Sequence, residues 1–186
     1  MITDIKQLTR PELEAGLDEI RQSPKDEGTL KMIVRRPQVD EREVLDEGKL
    51  DLAEGLVGDN WLSRGSSSTA DGSANPDTQL NIMNARVIDL ITQDKERWPL
   101  AGDQLFLDLD LSVENLPPGT KLTLGSSIIE VTPEPHTGCQ KFVKRFGADA
   151  MQFVNSPLGR EMGLRGICAK VVQNGTIRVG DVAKKV

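Results

Sequence analysis

Residues 134–147, EPHTGCQKFVKRFG, gather the side chains best suited to chemistry: the thiol of Cys139, the chain's single imidazole at His136, and cations at Lys141, Lys144 and Arg145. Thr137 and Gln140 stand at capping-box spacing, Phe142 and Phe146 lie one helical turn apart, and Gly147 follows the basic pair, so the spacing predicts a short helix starting near Thr137. Cys139 then falls in its first turn, where unpaired backbone N–H groups and the helix dipole favour a thiolate over a thiol. His136 and Lys141 add to that field. The structural alternatives stand beside this reading: a free cysteine is often a small buried hydrophobe, and a lone histidine before a helix is as often a cap or a loop residue. Cys168, inside the apolar run GICAKVV, fits the structural role and is not expected to react.

Outside this segment the sequence offers little. Arg165, in LRGI, reads equally as an anion ligand or a surface charge. Asp108 and Asp110 read as the solvated face of a strand. There is no G-x-S-x-G elbow, no P-loop, no G-x-G-x-x-G after a strand and no C-x-x-C, and one histidine excludes zinc sites built from several.

The elements that must hold these residues are mostly strands. Thr9 and Glu12 form a capping-box pair before Leu13, Leu17 and Ile20, which predicts an amphipathic helix over 9–22 within an N-terminal helical segment, 1–28. Short β-like runs follow at 29–36, 104–111, 121–131 and 166–179, separated by Gly, Pro and Asn. Leu105, Leu107 and Leu109 alternate with Phe106, Asp108 and Asp110, the pattern of a strand with one buried and one wet face. Asn174–Gly175 predicts a type I′ hairpin between the two halves of the last run. Residues 63–78, SRGSSSTADGSANPDT, have nothing to bury and are expected to form a mobile polar loop, either a surface excursion or a lid carrying Arg64 over a site. The fold class expected is mainly β with a few helices (α+β), a barrel or sandwich.

With 186 residues the chain can bury about 70% of its unfolded surface, so a single domain, 1–186, is expected to fold without disulfides or metals. A net charge of −6 repels polyanions and argues against nucleic acid as a partner. No apolar run reaches the ~20 residues of a bilayer span, the N-terminal stretch does not read as a secretory signal, and two cysteines make no disulfide framework. The expected location is the cytoplasm.

Five segments occur in an order that resembles MOSC domains, the module at the C-terminus of molybdenum cofactor sulfurases and in small bacterial stand-alone proteins. They are EGLVGDNW (54–61), QLNIMNARVIDLI (79–91), LAGDQLFLDLDLSVENLPPGTKLTLGSSIIEVT (100–132), HTGCQKF (136–142) and LRGICAKVVQNGTIRVGD (164–181). The resemblance implies a MOSC-type β-barrel. It implies that Cys139 either ligates molybdenum of a molybdenum-pterin cofactor or carries sulfur as a persulfide. By position His136, Lys141 and Arg165, with Arg64 more distantly, become the candidates to meet the cofactor's phosphate.

The chain departs from larger members in two respects. It is too short to contain a cysteine-desulfurase domain, so pyridoxal phosphate is not expected, and no N-terminal β-barrel extension is evident. The polar stretch 63–78 also interrupts the region where loop-borne binding residues would lie. Three functions follow as expectations: a molybdenum-pterin oxidoreductase acting on a small-molecule substrate, by analogy an N-hydroxylated compound; a sulfur carrier or cofactor-delivery module served by a separate cysteine desulfurase or redox partner; or a barrel that has lost the cofactor and leaves Cys139 inert.

Overall fold

The computed structural model describes residues 5–186. Thr9 caps α1 (Arg10–Ala15) through the expected capping box, its side chain and that of Glu12 each satisfying the other's backbone N–H. Gly16 then ends α1 and opens α2 (Leu17–Arg21), and it packs so close to the Leu90 side chain that a Cβ there would lie 2.5 Å from it. Leu13, Leu17 and Ile20 are buried as their spacing requires.

The chain continues through β1 (Gly28–Arg35), β2 (Glu43–Leu45), β3 (Glu47–Asp51), β4 (Gly55–Leu56), α3 (Trp61–Arg64), β5 (Leu80–Asn84) and α4 (Ala85–Thr92). After a 3₁₀ stretch at Lys95–Ala101 come β6 (Leu105–Asp108), β7 (Lys121–Leu124), β8 (Ser127–Val131), α5 (Gln140–Phe146), α6 (Ala148–Asn155) and α7 (Pro157–Glu161). The chain ends with β9 (Ile167–Gln173), β10 (Gly175–Arg178) and β11 (Val182–Lys185).

Seven strands close a barrel in the order β11-β7-β8-β9-β5-β6-β1, sealed by β1 pairing back onto β11, with β2 continuing outward from β1. Closure removes the free edges that an open sheet exposes. Every neighbouring pair is antiparallel except β5–β6. A second sheet, β10-β3-β4, lies beside it.

Two apolar clusters fill the molecule. One, with Leu30, Ile33, Leu105, Leu107 and Ile129, packs one face of the barrel strands. The other, with Met32, Val34, Met83, Phe106, Phe142 and Phe153, packs the opposite face against the helices. A bulge between Leu30 and Met32 lets β1 feed both clusters. Phe106 therefore departs from its expected wet position: it is fully buried, 5.7 Å from the Trp98 ring, because helices cover that side of the sheet. Its truncation to alanine would cost about 3–5 kcal/mol.

One further expectation fails. Asn174–Gly175 does not turn a hairpin, since β9 pairs with β5 and β8 while β10 crosses to β3. Asn174 instead accepts the Leu52 N–H, and Gly175 is needed because a Cβ would lie 2.4 Å from the backbone of Ser126 and Ser127. The stretch 63–78 begins in α3 and is tied by its own hydrogen bonds, among them Thr69 Oγ1 to the carbonyls of Ser66 and Ser73 and Ser73 Oγ to Asp71.

Candidate functional site

Helix α5 starts at Gln140, three residues later than its spacing suggests, so Cys139 is the N-cap and not a first-turn residue. Its backbone is extended, with φ −125° and ψ −178°, and its thiol makes no capping hydrogen bond. Thr137 and Gln140 form no capping box. What fixes Cys139 is its neighbours on both sides. Upstream, Asn155 clamps Gly138, accepting its N–H at 2.8 Å and donating to its carbonyl at 3.2 Å. Downstream, Phe142 and Phe146 anchor α5 in the core, edge to face with ring centroids 4.9 Å apart. The thiol is left exposed.

Cys139 lies on a cavity of about 200 Å³ lined by six cations: Arg36, Arg42, Arg64, Lys141, Arg145 and Arg165. The structure thus brings Cys139, Lys141, Arg165 and Arg64 together from three separate segments. Arg36 and Arg42, which the sequence did not single out, complete the set with Arg145, which it offered only as a charge at the end of the helix. Against six cations stand three carboxylates in direct contact, Asp40, Asp59 and Asp103. The cavity is therefore positive on a chain whose net charge is negative.

Two of the arginines are set rigidly. Arg36 makes a bidentate pair with fully buried Asp59, Nε to Oδ1 at 3.0 Å and Nη2 to Oδ2 at 2.7 Å, and its Nη1 donates to the Gly102 carbonyl. Arg165 donates from Nη1 to Asp103 Oδ2 at 2.7 Å and from Nη2 to the Ala101 carbonyl at 3.0 Å, with its guanidinium 5.0 Å from the Phe142 ring centre. Buried pairs of this kind contribute little net stability but hold geometry, and losing one partner is costly.

The remaining cations are less well matched. Arg64 and Arg42 have no carboxylate partner among the described residues; Arg42 donates only to the carbonyls of Pro99 and Glu41. Partial desolvation, then the charge of Arg36, pushes Arg64 below the ordinary arginine range, although the residue as a whole is exposed. Burial, then Arg145 and Arg36, does the same to Arg42. Asp40 is shared at the rim by Arg145 (3.3 Å) and Lys141 (3.7 Å), exposed contacts of small worth. Two buried polar atoms of cavity-lining residues, Arg165 Nε and Asn60 Oδ1, also lack a hydrogen-bond partner among the described residues. Crowded guanidinia and the unmatched Arg165 Nε–H are what an anion would relieve, while Asn60 Oδ1, an acceptor, calls for a donor.

His136 is not in this cavity. It stands behind it, with Nε2 2.7 Å from Asp103 Oδ1, and lines a neighbouring apolar cavity. Burial, then the charge of Arg165, lowers its affinity for a proton below that of an ordinary imidazole. Burial alone would raise Asp103, but Arg165 and His136 together hold it below the usual carboxylate range. Neutral His136 accordingly donates Nε2–H to ionised Asp103. Cys168 is buried with its thiol 3.5 Å from Asn81 Oδ1, and burial, reinforced by the charge of Asp103, pushes it up to about 12. Its structural role stands.

Among the described residues no three His, Cys, Asp or Glu side chains converge as a metal site. A metal at Cys139 would take its other ligands from a bound group. Nor is any helix among the described residues long and apolar enough to cross a membrane.

No known protein-family profile matches the chain, and no curated protein matches it significantly. Solved structures do. The YuaD protein from Bacillus subtilis is similar with a TM-score of 0.64 at 14% identity, over 85% of this chain and 94% of that one. YiiM from Escherichia coli is similar with a TM-score of 0.53 at 19% identity, over 85% of this chain and 69% of that one. Identities this low speak for the fold alone, and what the likeness supports is a MOSC-like fold.

Proposed function

From a MOSC-like barrel as premise, we propose that the basic cavity binds a phosphate-bearing molybdenum-pterin cofactor, with Cys139 as the protein's ligand to the metal. The observation that carries the reading is the pairing of an exposed thiol with six cations, of which Arg42 and Arg64 have no carboxylate partner among the described residues. The residues fit such a group. Guanidinia take phosphate oxygens in bidentate fashion, Arg165 Nε and Asn60 Oδ1 have hydrogen-bonding capacity to spare, and a soft sulfur suits a thiophilic metal.

When bound, the cofactor supplies the oxidoreductive chemistry. The chain's part is placement. Asp59 and Asp103 hold Arg36 and Arg165 at fixed angles, Asn155 and the two phenylalanines of α5 hold Cys139, and Arg64 together with Arg42, which is tied only to two backbone carbonyls, would meet the anion. By family analogy the reaction is reduction of a small N-hydroxylated compound, with electrons from a separate redox partner.

Sulfur carriage is the second reading, favoured by the exposure of Cys139 to an approaching protein. Its thiolate would attack the terminal sulfur of a separate desulfurase's persulfide, forming a new S–S bond as the donor thiolate leaves. Molybdenum and pterin content of wild type and Cys139→Ser, purified from a host that makes the cofactor, tests the first reading. Wild type is expected to hold both and the variant to lose the metal. Metal-free wild type carrying one extra sulfur at Cys139 by intact mass would replace the first reading with the second. Neither metal nor sulfur would contradict both.

A further inference from the structure

A second cavity, of about 250 Å³, adjoins the basic one and shares Arg165 as a common wall. Its buried lining is apolar: Leu111, Leu116, Val131 and Val154, with Ile167 partly buried beside them. Exposed Val113 and Pro135 stand at its rim. The charges around it balance. Arg165 is matched by Asp103, and Arg160 and Glu134 are of opposite sign. Besides Arg165 Nε on the shared wall, one polar group inside is incompletely used. The His136 imidazole is committed at Nε2 to Asp103, while its Nδ1 has no partner among the described residues. In the neutral ring with Nε2 protonated, Nδ1 is an acceptor.

We propose that this cavity is a binding site for a small neutral organic molecule, about one substituted six-membered ring, that carries a hydrogen-bond donor for His136 Nδ1. Size sets the first term, since an apolar cavity of about 150 Å³ takes one benzene. Charge balance sets the second, disfavouring an anion here although the neighbouring cavity attracts one. The unpartnered acceptor sets the third. As a binding site the inference is independent of the cofactor; as the seat of the substrate beside the metal it rests on that reading.

Metal-free protein labelled with ¹⁵N and titrated with benzyl alcohol, benzyl methyl ether and sodium benzoate separates the two. Benzyl alcohol is expected to shift the amides of Gly163, Gly166, Ile167 and Cys168 saturably, with Kd on the order of 1 mM. The ether, which has the ring but no donor, should bind about five-fold more weakly, the worth of one hydrogen bond. The difference should vanish in His136→Phe. Val113→Trp, a change at an exposed rim position that leaves the core intact, should weaken the alcohol about ten-fold by filling part of the cavity mouth. No saturable shift at these amides by about twenty times the expected Kd would overturn the site. Equal binding of alcohol and ether would overturn the role of His136. Benzoate binding as tightly as the alcohol would overturn the neutral-ligand class. Each result is independent of whether the protein carries molybdenum.

Discussion

Asp103 is fully buried and holds two partners at 2.7 Å, Arg165 through Oδ2 and His136 through Oδ1. Asp103→Asn keeps the shape and removes the charge. Arg165, whose side chain is 8% exposed, then keeps only the Ala101 carbonyl and a weaker amide partner, with Nε still unmatched. Breaking a buried pair on one side costs about 3–5 kcal/mol. At about 2–4 °C per kcal/mol for a chain of this size, the melting temperature should fall by roughly 6–20 °C. Urea unfolding at pH 8 checks this directly, the midpoint moving with m unchanged. The double variant Asp103→Leu with Arg165→Met, which removes both charges, should recover most of the loss. A single-variant loss below about 1 kcal/mol would refute the idea that this pair is buried and obligatory.

The same cluster makes stability acid-sensitive. Asp103 is held low in the fold, so its contribution is present above the unfolded carboxylate value and is lost as pH falls through the folded one. His136 is also held low, so below about pH 6.5 the unfolded chain takes up a proton that the folded chain refuses. The signs agree and the windows differ: His136 should make wild-type stability decline from pH 7 towards pH 5, Asp103 should continue the decline below about pH 4, and a profile flat between pH 7 and 5 would contradict the assignment of His136. Arg64→Gln removes a cation crowded by Arg36, and solvent screening at this exposed position limits the gain, so metal-free stability should stay level or rise by up to about 1 kcal/mol. Phosphate at ten times its Kd should stabilise wild type by about 1.4 kcal/mol and the variant by less; equal stabilisation would remove Arg64 from the site.

Local signals were legible where local physics decides. The Thr9–Glu12 capping box, β1, and the apolar spacing of Leu13, Leu17 and Ile20 all stand in the fold as the sequence suggested. Asn174–Gly175 misled because two different constraints select the same dipeptide. A tight turn wants positive φ there, whereas this glycine answers a close backbone approach across the two sheets. Phe106 misled because alternation cannot show that helices cover the second face of a strand.

The site was half legible. Cys139, Lys141, Arg165 and Arg64 could be named, but His136 falls one step behind the cavity. Arg145 shares α5 with Lys141 and read only as a helix-end charge, while Arg36 and Arg42 lie far away in sequence and carry no shared pattern with it, so only the tertiary fold makes them neighbours. Asp59 and Asp103 carried a signal that passed unused: each follows a glycine in a segment of the resemblance, VGDN and AGDQ, and each is fully buried on an arginine.

The central claim is that the unmatched arginines of the basic cavity hold the phosphate of a pterin while Cys139 takes the metal. Pterin content of wild type, Cys139→Ser and the double variant Arg42→Gln/Arg64→Gln, all purified from a cofactor-producing host and normalised to folded protein, tests it most directly. Pterin should be present in wild type, partly retained in Cys139→Ser and lost in the arginine variant. Pterin absent from wild type, or undiminished in the arginine variant, would contradict it.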